Sequence, residues 1–155
     1  MNGARIVCFG NPWHGDDGFG HHVFRRLPRG VAAVDAGTAG LDALPQFEGC
    51  AKAVVVDAVR TGGRIGAVHR LVPSELEPPG GELSLHDLGV NSLLRALAVL
   101  LREPPDVVLI GAEVGEIRTF TDRLSPPLEA ALPTAVRLVL RECDVVRTQR
   151  EAEHR

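Results

Sequence analysis

The segment Gly10-Asn11-Pro12-Trp13-His14-Gly15-Asp16-Asp17-Gly18-Phe19-Gly20 places two adjacent carboxylates among four glycines. It does not follow the G-x-G-x-x-G spacing and has no G-K-[ST], so nucleotide binding is a poor reading. Two carboxylates at a helix start also repel a pyrophosphate and attract a cation. The positive end of the helix dipole keeps such a carboxylate ionised and ready as a ligand. Asp57 interrupts the apolar run Ala53-Val54-Val55-Val56-Asp57-Ala58-Val59. A buried carboxylate needs a partner, either a metal ion or the backbone of the following turn. His86 stands near the start of an apolar helical pattern, where the dipole favours neutral imidazole with a free nitrogen. It reads as a metal ligand or as an ordinary surface or packing histidine. Together Asp17, Asp57 and His86 supply two oxygens and one nitrogen. That set suits a borderline divalent ion such as nickel or zinc and leaves a position for water or substrate.

Other reactive side chains lack the surroundings their chemistry requires. Cys8 sits inside an apolar run without an evident base. Ser84 near His86 reads as a helix cap, and no G-x-S-x-G elbow is present. His21 and His22 are adjacent, so they do not share a helix face, and H-E-x-x-H is absent. Cys8, Cys50 and Cys143 are too few and too far apart for a disulfide framework, which places the chain in a reducing, cytoplasmic setting. His14 is either a fourth ligand or a solvated loop residue. Trp13 either walls a peptide cleft or covers a helix end. Glu113 and Glu116 follow a strand near the same rim, as exposed loop residues or as substrate contacts.

These residues need elements to position them. Arg5 to Gly10, Val31 to Ala36, Ala53 to Val59, Gly66 to Val72 and Asp106 to Gly111 read as strands. Asp16 to Leu27 reads as a helix with Phe19, Val23, Phe24 and Leu27 on one face. Ala39 to Phe47 reads as a short helix made imperfect by Pro45. Residues 73 to 83 read as a loop. Ser84 to Arg102 reads as a helix opened by a Ser84-x-x-Asp87 capping box. Its stripe is Val90, Leu93, Leu94, Leu97, Leu100 and Leu101. Leu124 to Arg141 reads as the last helix, with Pro126 and Pro127 in its first turn. Residues 1–143 then form a single domain and 144–155 a polar, frayed tail. The alternation predicts an α/β three-layer sandwich: a five-stranded, mostly parallel twisted sheet with helices on both faces. Ligands of such sheets sit beyond the carboxyl ends of the strands, where Asp17, Asp57 and His86 are expected to meet.

Composition narrows the partners. The chain has 155 residues, 45% hydrophobic and 24% charged, with a net charge of -3. There is no basic excess for nucleic acid. No apolar run approaches the ~20 residues needed to cross a bilayer, and the first residues lack a signal-peptide pattern. The expected state is a monomer.

The motifs Gly10-Asn11-Pro12 with Gly15-Asp16-Asp17-Gly18-x-Gly20, Asp35-Ala36-Gly37-Thr38-Ala39-Gly40-Leu41, Val54-Val55-Val56-Asp57-Ala58, Ser84-Leu85-His86-Asp87-Leu88-Gly89 and Leu109-Ile110-Gly111 occur in this order. With them the chain resembles the hydrogenase maturation proteases from about Arg5 to Leu140. The resemblance implies a single α/β domain with a five-stranded sheet. It implies an endopeptidase that recognises nickel already inserted in the large-subunit precursor of a nickel-iron hydrogenase. That enzyme then removes the precursor's C-terminal extension. The nickel arrives with the substrate, so no permanent cofactor is implied. Asp17, Asp57 and His86 map to the family's metal-gripping and catalytic positions, and the Asp35–Gly40 segment to a region linked to substrate choice. Asp17 stands where relatives often carry Glu, one methylene longer. Trp13 and His14 stand where aliphatic residues are usual, and Ala36 where glycine is commoner. Asp16 or a ligand carboxylate would serve as general base. Two other readings stay open: a non-catalytic relative that senses or escorts the metal centre, and a peptidase with its own permanent divalent metal.

Overall fold

The computed structural model describes residues 2–73, 84–85 and 88–154. Its elements are β1 (Asn2–Phe9), a 3-10 turn (Gly15–Gly18), α1 (Phe19–Arg26), β2 (Ala33–Gly37), a 3-10 helix (Gly40–Phe47) and β3 (Cys50–Arg60). Then follow β4 (Val68–Leu71), β5 (Ser84–Leu85), α2 (Leu88–Leu100), β6 (Asp106–Glu113) and α3 (Pro126–Glu153). The sheet runs β2-β1-β3-β6-β4. Pairings β1–β2, β1–β3 and β3–β6 are parallel, and β4 is antiparallel on β6. This is the expected five-stranded, mostly parallel sheet. The two residues of β5 add antiparallel to the end of β3, Val59 to Leu85 and Arg60 to Ser84.

β3 is central because its side chains suit burial on both faces. Val54, Val56 and Ala58 join Ile6, Cys8, Phe19, Val23, Ile110 and Leu132 under α1 and α3. Val55 and Val59 join Val7, Phe9, Phe47, Leu93, Leu97 and Leu109 under α2 and the 3-10 helix. Pro45 removes one backbone donor, in keeping with a 3-10 rather than an α-helix at Gly40–Phe47. Leu100 was counted with the apolar stripe of α2 but is exposed, as is Val99.

Two helices depart furthest from expectation. α2 starts at Leu88, not Ser84, and ends at Leu100. β3 runs past the end of β1, leaving backbone groups that Ser84 and Leu85 satisfy by pairing. Ser84 is therefore a strand residue, not the cap of a box. His86, Asp87 and most of the 73–83 loop lie outside the described residues. α3 runs on to Glu153, so 144–153 is helix rather than frayed tail. Its polar run contains no Gly or Pro to stop it, and Arg, Gln, Glu and Ala all favour helix.

Candidate active site at the carboxyl rim

The loop after β1 is folded tightly enough that glycine is obligatory twice. Gly10 has φ +128°, and a Cβ there would lie 2.0 Å from the Asp17 carbonyl oxygen. A Cβ on Gly20 would lie 2.1 Å from the Phe9 oxygen and 2.8 Å from the Val56 oxygen. The first turn of α1 is thus pressed onto the ends of β1 and β3. Gly20 touches the carbonyl of the residue preceding Asp57, and Asp17 lies three residues before Gly20. The structure brings the Asp17 turn and Asp57 to one rim on packed, adjacent elements.

Each carboxylate is oriented by backbone. The Asn11 N–H donates to Asp17 Oδ2 at 3.1 Å. The Ala58 N–H donates to Asp57 Oδ1 at 2.8 Å, and Asp57 is only 2% exposed. Its register partner on β6 is Gly111, where a Cβ would come within 2.5 Å of Val59 Cγ1. Leu85, paired with Val59, is the last described residue before His86 in the chain. Among the described residues no group of three His, Cys, Asp or Glu side chains forms a metal site; the third expected ligand falls outside them.

Asp16 has a different task from the one its sequence position suggested. It is buried, and it accepts the Ser125 N–H and the Ser125 hydroxyl, both at 2.7 Å. It ties the loop after β1 to the first turn of α3, with both carboxylate oxygens accepting bonds there. Cys8 is no nucleophile: burial, reinforced by the Asp35 and Asp57 carboxylates, pushes its thiol far up. All three cysteines are free.

Sequence reading placed Glu113 on an exposed loop or in contact with substrate. It closes β6 and is 1% exposed, because the strand runs two residues past Gly111. Its carboxylate accepts the Thr61 hydroxyl at 2.7 Å, the Thr61 N–H at 2.8 Å and the Gly63 N–H. Burial alone would raise its pKa. The bonds from Thr61 and Gly63, with His69 nearby, outweigh that and hold it below the usual carboxylate range. Glu116 is exposed. On the other side of the site, His21 Nδ1 and Asp35 Oδ2 are 2.6 Å apart, and the Gly10 N–H donates to the Gly37 oxygen at 2.9 Å. The 35–37 segment is thereby fixed beside the ligand loop. Asp57, Gly111 and His69 occupy matching register positions across three strands, a long-range relation that no local motif reveals.

His14 forms a backbone bridge with Thr121. Trp13 is 66% exposed, so it does not cover a helix end.

A parallel α/β sheet with acidic side chains on its carboxyl rim belongs to a class in which that edge binds and acts on ligands. Comparison with known proteins defines the class further. The family model described as hydrogenase maturation protease matches residues 22–142. The coenzyme F420 hydrogenase subunit delta of Methanothermobacter thermautotrophicus is 32% identical over 154 residues, covering 90% of this chain and 94% of that protein. The hydrogenase expression/formation protein HupD of Bradyrhizobium diazoefficiens is 28% identical, covering 97% and 84%. The nickel-iron hydrogenase maturation protease HybD of Thermococcus kodakarensis superposes with a TM-score of 0.79 at 25% identity, covering 92% of this chain and 99% of that one. The hydrogenase maturating endopeptidase HybD of E. coli gives 0.74 at 25%, covering 91% of each. The chain belongs to the hydrogenase maturation protease family, and it is an endopeptidase, a peptide-bond hydrolase, of that kind. Among the described residues no helix is long and apolar enough to cross a membrane.

Proposed function

We propose that this protein removes the C-terminal extension of a nickel-iron hydrogenase large-subunit precursor after recognising the nickel inserted in it. The observation carrying this reading is the convergence of Asp17 and Asp57 at one rim, each oriented by a backbone N–H. A backbone N–H on one oxygen fixes the aim of a carboxylate, and an aimed carboxylate suits the grip of a cation. His86 completes the set as a nitrogen ligand, a reading supported by its place directly after the strand residue Leu85. The nickel belongs to the substrate, and so do both reacting groups of the scissile peptide. Binding that metal positions the tail over the rim and turns an encounter between proteins into an oriented one. Water adds to the scissile carbonyl, the C–N bond breaks, and the new amine takes a proton. A metal-ligating carboxylate is the nearest candidate to receive the proton of water. Asp17 reaches one methylene less than Glu, so the substrate's metal must approach the Gly10–Gly18 loop closely. The enzyme is expected to act in the cytoplasm as a monomer.

The test incubates the purified enzyme with nickel-loaded and nickel-free precursor and follows the mass of the large subunit. A loss of mass only in the loaded sample is expected. Trimming of both samples would remove nickel recognition from the reading. Binding without trimming would make the chain an escort. Stoichiometric metal in the enzyme alone would point to a permanent metal instead.

A further inference from the structure

We propose that Trp13 and Phe120 form the docking surface for the folded body of the protein substrate, next to the site that takes its metal and tail. This rests on the functional reading above. Phe120 is 92% exposed and Trp13 is 66% exposed. Their two loops are joined by a backbone bridge: the Thr121 N–H donates to the Trp13 oxygen and the Gly15 N–H to the Thr121 oxygen, both at 2.9 Å.

Phe120 also has φ +58° and is the only described non-glycine residue with positive φ. A bulky side chain in the left-handed region is strained, and here the ring gains no burial in return. For the isolated protein, glycine would serve this backbone better. Two outward rings held at a conformational cost belong to a surface whose partner is another molecule.

The composition of the patch is that of an interaction hot spot. Arg118, exposed on the same loop, has its carbonyl oxygen 3.1 Å and its Cβ 3.6 Å from where a Cβ on Gly15 would stand. Trp and Arg are the residues that most often carry binding energy between proteins. Arg118 and Arg123, both exposed, stand two residues before and three after Phe120 and call for carboxylates around an apolar patch on the partner.

Continuity and area decide the occupant. Trp13 lies four residues before Asp17 on the same loop, so a partner seated on the rings has its nearest surface at the rim. Two aromatic rings bury roughly 150–250 Å² each, well short of the ~800 Å² per partner of a stable dimer. Such a patch serves as an accessory to a larger contact, here the tail and metal held in the site, and does not hold two copies of this chain together.

The experiment measures cleavage of nickel-loaded precursor by Trp13→Ser, Phe120→Gly and the double variant. Glycine accepts the left-handed backbone, so Phe120→Gly is expected to melt no lower than the parent. The double variant should raise KM by about tenfold or more while kcat changes less than about twofold. Val99→Ser, at the end of α2 that leads to the opposite edge, should leave KM unchanged. Equal KM in the folded double variant would overturn the proposal. So would a wild-type dimer in sedimentation that the same substitutions dissociate. If the parent enzyme neither binds nor trims the precursor, the functional reading falls and this surface falls with it. If the parent trims and the variants match it, only the docking surface falls.

Discussion

At the carboxyl edge of the sheet, Asp16, Asp17, Asp57 and Glu113 accept hydrogen bonds from backbone N–H groups and hydroxyls. At the opposite edge, the buried carboxylate of Glu142 on α3 is held by the ammonium of Lys52 at the start of β3 and the guanidinium of Arg70 on β4. The chemical group is the same and the solutions differ. Lys52 and Arg70 both pair with Glu142, so its charge is used in holding α3 to the sheet. At the rim, backbone N–H groups and hydroxyls fix the aim of the carboxylates. One edge uses its acid to hold helix to sheet; at the other, Asp16 and Glu113 also hold structure, and Asp17 and Asp57 are the acids proposed for chemistry.

Substitutions at the two edges should therefore separate activity from stability. The largest effect belongs to Asp57→Asn. The amide retains an oxygen to accept the Ala58 N–H, so the fold should persist, but the ligand charge is gone. Trimming should fall by at least about 10³-fold, some 4 kcal/mol at 1.36 kcal/mol per decade, with unchanged circular dichroism. Retained trimming would end the contrast between the edges. Glu142→Ala should do the reverse. It leaves the largely buried Lys52 ammonium without its partner and should cost about 3 kcal/mol in urea unfolding, with kcat intact. The acid limb follows from the same residue. Burial pushes the Glu142 carboxyl up, but Arg70 and Lys52 hold it below the usual range. A depressed pKa stabilises the fold above the unfolded-state value near 4.5 and loses that contribution as pH falls through the lower folded-state value. Glu142→Gln should accordingly flatten the loss of stability below about pH 4.5.

Legibility followed locality. The strand cores, α1 with Phe19 and Val23, and the Pro126 start of α3 were readable because period and punctuation are local properties. Asp57 was readable as the sole charge in an apolar run. The start of α2 was not: Ser84 satisfies the local rule for a cap, but the unpaired end of β3 competes for its backbone and wins. Asp16 looks equivalent to Asp17 in sequence, and only Ser125, 109 residues away, distinguishes the anchor from the proposed ligand. Glu113 and Glu142 were obscure for the same reason, since their partners come from other strands.

Glu113 tests whether rim acids also carry structure. Glu113→Gln turns an amide NH2 toward the Thr61 and Gly63 donors. The turn after β3 should loosen, with about 2 kcal/mol lost in urea unfolding and a smaller loss of trimming than Asp57→Asn. A stability loss without any loss of trimming would move Glu113 into the category of Glu142.

The smallest effect is the sharpest discriminator. Ser125→Ala deletes one of the two bonds that Asp16 accepts and keeps the other, from the Ser125 N–H. One buried hydroxyl bond contributes about 1 kcal/mol, so the melting temperature should fall only by a few degrees. Asp16 is joined by one peptide bond to Asp17, and its carboxylate is the fixed point from which the ligand loop is aimed. Loss of that second contact lets the loop pivot about a single bond, and displacements on the scale of an ångström are costly in an oriented reaction. Trimming should therefore fall several-fold more than stability accounts for, and Ser125→Thr, which restores a hydroxyl, should recover most of it. If Ser125→Ala lost stability and trimming in the same proportion as Glu142→Ala, the Asp16 anchor would be an ordinary structural contact and the division of labour between the edges would fail at its most delicate point.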